Sequence, residues 1–588
     1  MTGSEARSDA WNPGIASVIP PRLLPLVTLY RPENSSIGYR EARELSEICG
    51  LGPNEVIAFR VRRLVVHELL IRVTADLHVP DGPNYEDLGL CLRGMTARIL
   101  EAHVEPEMGK LERAFDELRD QIDDRLRDLL DRDIFVRPPP AHVGGQGIWA
   151  RILRKKEHAG AEKALPELVA IARWEDAIPQ VGSDFERACL QGLRKIVAGI
   201  VGQRGRLMAD RDTVVRLASN WICNSYGSER VGDMLDPIIR TAVVAEGYKY
   251  LPFQKSPVIL NVKGASAAGK STIRPLQRKL AQRMGVPWEH FALVSPDYWR
   301  KFLFDYNSLG VDRKYAAMLT GQELEIIDKK LDRYIEHKAN RSEIPHLLID
   351  RFRFDSFGSG AIQPADSRLL SRFGDTVFMF FVITPPAETV ERAWTRGIET
   401  GRYKAVDDLL YHNIEAYTGM PQLFFTWVKK DRQKMHFEFL DNSIPYGEIP
   451  KTIAFGWNDK ITILDVNCMR KINSYKQVNV NARKPEEVLL KEGNGSEDII
   501  RDCIAKISDV TFVDPETLEI LGHTQNGKSD YQVVGFFERS SIDVKYEISP
   551  AETFDPASSV VRGASKPVLD IDYERTFTVG SWGREPRS

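Results

Sequence analysis

Cysteine is scarce. Six residues in 588, Cys49, Cys91, Cys189, Cys223, Cys468 and Cys503, are scattered with no C-x-x-C pair and no histidine at a zinc-ligand interval. This excludes a disulfide scaffold and a structural zinc module, and leads us to expect reduced thiols in a cytoplasmic protein. Long apolar runs are missing too: none approaches the roughly 20 residues of a membrane-spanning helix, and Met1 to Asn12 is polar without an apolar h-region. Neither membrane anchoring nor classical secretion is expected, while a route that reads a polar N-terminus stays open. Net charge is also lacking. With 80 basic and 83 acidic residues the sum is -3, which excludes a global attraction to nucleic acid or an anionic membrane. The eleven histidines form neither H-E-x-x-H nor a nucleophile elbow, so hydrolase chemistry is unsupported. His67, His290 and His346 are expected to be structural.

What is present is an ordinary globular composition, 43% apolar and 28% charged, in a chain long enough for several domains. Residues 1–137 read as a helical module, broken at Gly50-Leu-Gly-Pro53. Within it, 109–132 places Leu111, Phe115, Leu118, Ile122, Leu126 and Leu129 at three- and four-residue steps, the pattern of one amphipathic helix in a bundle. Three prolines at 138–140, followed by Gly144-Gly145, cannot continue a helix and mark a linker over 138–147. A second helical region covers 148–250.

Over 251–470 the grammar changes. Short apolar runs at 258–262, 290–295, 346–350, 376–383 and 460–465 alternate with helical patterns, which predicts an α/β core with a five-stranded parallel sheet covered on both faces. The remaining 471–588 reads as a small α+β extension with strands at 531–537 and 542–548 and a polar tail, with no functional reading.

The first of those runs leads into Gly264-Ala265-Ser266-Ala267-Ala268-Gly269-Lys270-Ser271, then Thr272. This is G-x-x-x-x-G-K-[ST] between a strand and a basic helix, the context a P-loop requires. Backbone N–H groups of such a loop surround phosphate oxygens, Lys270 neutralises β/γ charge and Ser271 ligates Mg²⁺, so ATP and Mg²⁺ are the expected cofactors. Thr272 is expected to help at the α-phosphate. Pro275 falls inside the expected helix and should strain its first turns. No N-K-x-D follows, which disfavours a guanine-specific switch protein.

Kinases acting on small substrates also need a carboxylate near the acceptor hydroxyl and arginines on a lid. After the second apolar run comes Ser295-Pro296-Asp297-Tyr298-Trp299-Arg300. Asp297 would be the general base or hold Mg²⁺ through water, and Arg300, one turn on, would face substrate; a first-turn aspartate complementing the helix dipole is the plain alternative. After the fourth run, Thr384-Pro-Pro386 starts a helix with Arg392 and Arg396 on one face before Gly397 ends it, and Arg402 follows.

These segments together, GASAAGKST, SPDYWRK, ELEIIDKKLDRYI leading into HLLID, ERAWTRGIETGRY and FLDNS, resemble the zeta toxin family of P-loop kinases over about 250–468. The resemblance implies that Lys270 and Ser271 bind ATP and Mg²⁺, that Asp297 activates the acceptor hydroxyl, and that Arg396 and Arg402 are lid arginines on the triphosphate, with Arg392 beside them. It also implies a nucleotide-sugar acceptor, UDP-N-acetylglucosamine in that family. Where the family commonly has Glu-Gly-Thr lining the acceptor pocket, this chain has Asp350-Arg351-Phe352 and Arg353-Phe354-Asp355. Arg300, Asp350, Arg351 and Arg353 are therefore the expected acceptor residues. Arginines interleaved with phenylalanines would also suit a dinucleotide or a nucleic-acid end. Two further readings stand beside this one: a regulatory ATP-binding module that phosphorylates nothing, and a helical region acting as an antitoxin-like regulator in cis.

Overall fold

The computed structural model describes residues 8–135, 165–351 and 370–583, except 85, 431–432, 446, 491–496, 534, 547–568 and 570. The expected linker and residues 352–355, Arg353 among them, lie outside this set. No described helix is long and apolar enough to cross a membrane. The chain divides into two compact units, and not into the linear succession expected above. One comprises Pro20–Leu70 and Thr96–Gly247, the other Met1–Ile19, Ile71–Met95 and Tyr248–Ser588.

The helices before the sheet are α1 (Tyr39–Cys49), α2 (Val61–Asp76), α3 (Asp87–Ile99), α4 (Met108–Leu130), α5 (Pro166–Ala177), α6 (Asp184–Arg204), α7 (Arg211–Ile222) and α8 (Ser228–Glu246). In the first unit α7 packs against α4 and α6, and α6 against α1 and α5. Helix α4 buries Leu111, Phe115, Ile122, Leu126 and Leu129 as its spacing predicts, leaving Leu118 half-buried. Ser183 and Asp210 cap the following helices by accepting from Glu186 N and Thr213 N.

The second unit is built on one mixed eleven-stranded sheet, parallel at one end. Its strands are β1 (Val258–Lys263), β2 (Phe291–Val294), β3 (His346–Asp350), β4 (Thr376–Ile383), β5 (Lys434–Asp441), β6 (Lys451–Trp457), β7 (Lys460–Ile463), β8 (Asp509–Val513), β9 (Ile520–Gln525), β10 (Lys528–Gln532) and β11 (Lys545–Tyr546). They lie in the order β11-β10-β9-β8-β7-β6-β5-β4-β1-β3-β2, and β5, β4, β1, β3 and β2 pair in parallel. Strand β4, Thr-Val-Phe-Met-Phe-Phe-Val-Ile, is buried after its first residue, as a strand covered on both faces must be.

Three expectations about this sheet are corrected. The run at 460–465 is not in the parallel group: its 460–463 part, β7, is antiparallel to β6 and parallel only to β8, and the place beside β4 belongs to β5. The C-terminal segment is not a separate extension, because β8 pairs with β7 and continues the same sheet. Its strands match the expected ones only in part: β10 overlaps the first range at 531–532, and the two-residue β11 lies within the second.

Strand β5 carries two fully buried polar residues, His436 and Glu438. Burial pushes the Glu438 carboxyl up to about 7, against Thr452 Oγ1 and the N–H groups of Gly580 and Val579, which all donate to it. Thus a polar side chain in β5 ties down the C-terminal residues that follow the helix Ile571–Phe577.

At the far end of the sheet His523 sits between Asp530 (2.6 Å) and Asp509 (3.2 Å), and bonding to them raises its pKa. A raised imidazole stabilises below its unfolded pKa of about 6.5 and loses that contribution as pH climbs through the folded value. His523→Gln should therefore cost roughly 1 kcal/mol at pH 5.5 and markedly less at pH 8.5 in denaturant titrations.

Candidate functional site

The backbone of the 264–271 loop, the expected P-loop, is set by two left-handed residues, Ala267 (φ 62) and Gly269 (φ 90). A Cβ on Gly269 would stand 2.3 Å from Asn442 Nδ2, so only glycine fits. Four of the loop's carbonyls are occupied: Lys270 Nζ donates to the oxygens of Gly264 (3.1 Å) and Ala265 (2.8 Å), Asn442 Nδ2 (2.8 Å) and Thr384 Oγ1 (2.9 Å) donate to Ala268 O, and Thr272 Oγ1 donates to Gly269 O. Backbone N–H groups are what such a loop offers an anion, and that of Ala268 donates to Ala265 O.

Pro275 causes no break. The chain takes a 3₁₀ turn over Lys270–Ile273 before the helix α9 (Arg274–Arg283) begins, which puts Pro275 in that helix's first turn, where its missing N–H is not needed.

Strand register brings the next group in. Val262, just before the loop, pairs with Asp350 at the end of β3, and Ser271 Oγ donates to Asp350 Oδ2 at 2.5 Å. Arg274 stands 3.9 Å from the same carboxylate oxygen. Asp350, expected on the acceptor side, thus meets the P-loop serine. A hydroxyl and a carboxylate are oxygen donors of the kind Mg²⁺ takes, one or two from the protein with the rest from phosphates and water. Among the described residues no cluster of three or more His, Cys, Asp or Glu could hold a metal ion.

Beside it lies Asp297, on the 3₁₀ turn Pro296–Trp299 after β2. Its Oδ1 accepts from Arg300 Nε at 2.9 Å and its Oδ2 pairs with Arg402 at 2.6 Å. Desolvation acts to raise its pKa, but the Arg402 and Arg300 guanidiniums win and hold it far below the carboxylate range. Arg300 also donates to Ala317 O (2.6 Å) and Thr320 Oγ1 (3.0 Å), so it braces this turn. Lys270 is pushed down to about 8 by burial, with Arg396 and Arg402 adding to the fall and Asp350 and Asp297 opposing it. Lys270, Asp297, Asp350, Arg396 and Arg402 therefore share one electrostatic neighbourhood.

The expected lid spans the helices α11 (Pro386–Thr400) and α12 (Val406–Trp427), where α10 denotes the earlier Gly321–Asn340. Gly397 does not end α11. The Tyr403 ring packs where a Cβ at 397 would be, and Gly401 (φ 76) ends the helix four residues later. Of the arginines, Arg396 and Arg402 act on Asp297 and Lys270, whereas Arg392 donates to Asn442 O (2.7 Å) and Ile444 O (3.2 Å) and braces the loop after β5. The N-terminal segment lies over these helices: Ala10 joins the apolar cluster of Val390, Ala393 and Leu410, Trp11 Nε1 donates to Glu391 at 2.7 Å, and Ser17 Oγ donates to Asp407 at 2.5 Å.

Sequence reasoning did not single out Lys404, which follows Arg402. It contacts His412 and Asp408 and is lowered to about 8, chiefly by burial. Nor did it assign a role to Thr384 or Asn442, which hold the P-loop from β4 and β5.

Arg351, expected at the acceptor, is buried with Asp328 (2.6 Å) and Asp332 (2.5 Å) of α10. Arg351→Ala should remove the buried guanidinium that pairs with both Asp328 and Asp332 and cost about 3 kcal/mol of stability by denaturant unfolding. An acceptor role would show instead as a raised KM in a protein of normal stability. No family model matches the chain, and neither any curated protein nor any solved structure matches it.

Proposed function

We propose that the protein is an ATP-dependent phosphotransferase that moves the γ-phosphoryl group to a hydroxyl of a nucleotide-sugar or nucleotide-like acceptor, as the resemblance to zeta toxins implies. The observation that carries the reading is the position of Asp297: a carboxylate held by Arg300 and Arg402 within the field of the P-loop lysine. Binding ATP alone requires no such group.

The residues divide the work. Loop N–H groups and Lys270 bind the phosphates, and Ser271 and Asp350 would hold Mg²⁺, whose charge offsets that of the β- and γ-oxygens. Arg396 and Arg402 neutralise the transferring group. Asp297 accepts the acceptor's proton, ionised at any pH near neutrality. Arg402 pairs with Asp297, so its contact with the triphosphate would both supply a cation and uncover the base. A base so strongly stabilised by two arginines is a weak one, and the departure of Arg402 returns its basicity towards that of an ordinary carboxylate.

Incubation with γ-labelled Mg-ATP and separate panels of nucleotide sugars, dinucleotides and 5′-hydroxyl oligonucleotides tests this. Label is expected in one panel and lost with Lys270→Ala. Label in none, with ATP still bound, would favour a regulatory nucleotide-binding module.

A further inference from the structure

We propose that the segment carrying the end of α2 and the start of α3 belongs to the catalytic apparatus: Gly89, Arg93 and Thr74 are positioning residues that fix the Pro296–Trp299 turn and thereby Asp297. The inference rests on the phosphotransferase reading and deepens it.

The turn is short, four residues of 3₁₀ helix running into the helix Arg300–Leu303, and Ser295 before it makes no side-chain cap. Arg300 braces its far end, and what packs on Tyr298 and Trp299 sets the rest. Tyr298 and Trp299, immediately after the proposed base, are 3% and 0% exposed, and the 71–95 segment reaches both. Trp299 Nε1 donates to Thr74 Oγ1 at 3.2 Å, and Arg93 donates to the Tyr298 carbonyl at 3.3 Å. A Cβ on Gly89 would lie 2.5 Å from Tyr298 Cδ1 and 3.2 Å from Cε1, so the helix meets the ring at its bare backbone.

That close approach accounts for a glycine in the first turn of a helix, where alanine would favour the helix more. On its other side the ring meets Arg274, whose guanidinium is 5.7 Å from the centroid and whose NH2 is 3.3 Å from the hydroxyl. Arg274 in turn faces Asp350, the partner of Ser271. Tyr298 is therefore wedged between α3 and the phosphate site. A sideways push on its ring is passed to Asp297 one residue away. Flanking contacts fasten the segment down: Asp76 accepts from Tyr334 (2.5 Å) and pairs with Lys338, Asp81 pairs with Arg278 and accepts from Trp288 (3.2 Å), and Glu86 faces Lys301 (3.5 Å).

The test uses the full chain, with transfer from γ-labelled ATP to whichever of UDP-N-acetylglucosamine or a 5′-hydroxyl oligonucleotide the wild type labels, and ATP affinity by calorimetry. Gly89→Ala should lower kcat by about 10- to 100-fold with the Kd for ATP unchanged, since displacing a catalytic group by about 1 Å costs up to 10²-fold. In a Tyr298→Ala background, where the ring is gone, the same change should cause no further loss. Thr74→Val, which keeps shape and removes the acceptor for Trp299, is the milder probe should Gly89→Ala fold poorly; a three- to tenfold loss in kcat alone is expected. Wild-type kcat in folded Gly89→Ala or Thr74→Val protein, or a parallel fall in kcat and ATP affinity, would reduce the contact to packing and overturn the proposal. A wild type that labels nothing would instead defeat the phosphotransferase reading, and the positioning role with it.

Discussion

Asp297→Asn is expected to lower the rate of phosphoryl transfer by about 10³-fold while ATP binds as well as before or slightly better. Two effects act with opposite sign. Asparagine is nearly isosteric but cannot take the acceptor's proton, and a positioned base is worth 10²–10⁴ in rate. The substitution also removes the anion that now holds Arg300 and Arg402, leaving both more available to the triphosphate. Since the Asp297 side chain is 48% exposed, its ion pairs are partly screened and releasing them is worth at most about tenfold in affinity. Loss of the base is the larger effect, and it falls on kcat. Single-turnover transfer measured beside calorimetric ATP binding separates the two. Wild-type transfer with unchanged binding would show that Asp297 is a structural first-turn carboxylate.

How much of this was legible depended on the range of each contact. The strand, the left-handed glycine and the helix around Lys270 and Ser271 were readable because they are consecutive and their geometry is local. Asp350 and Arg351 were not separable: adjacent residues at a strand end point to opposite sides, and only the pairing of β3 with β1 shows that Asp350 meets Ser271 while Arg351 turns to α10. Strand β5 went unread as a strand because His436 and Glu438 interrupt its apolar pattern. Both are buried, Glu438 with partners that arrive from Thr452 and from residues 579–580. Gly89 carried no local sign of Tyr298, which lies far away in sequence and close only in space. The apparent conflict at Pro275 was local, yet it dissolved once a 3₁₀ turn was placed ahead of the helix.

Arg402→Ala should lower kcat by about 10²–10³-fold and move the acid limb of the kcat/KM profile to higher pH. The rate loss comes from the missing cation, since one arginine on the transferring phosphoryl group is worth 10³-fold or more. Part is returned, because the variant no longer has to break the 2.6 Å pair with Asp297 before reacting. For a buried arginine paired with a half-exposed carboxylate that saving is about 1 kcal/mol, short of tenfold. The pH effect follows from the same pair. Arg402 holds the Asp297 pKa down, so without it the free enzyme's carboxylate titrates nearer the ordinary value of about 4, with Arg300 still opposing. Asp297 remains ionised at pH 7, so the loss measured there is that of the cation alone, and only the acid limb reports the base. Arg402→Lys keeps the charge without the bidentate fork and should recover part of the rate while holding the limb closer to its wild-type place. Full activity with an unmoved limb in Arg402→Ala would mean that the pair with Asp297 plays no part in turnover.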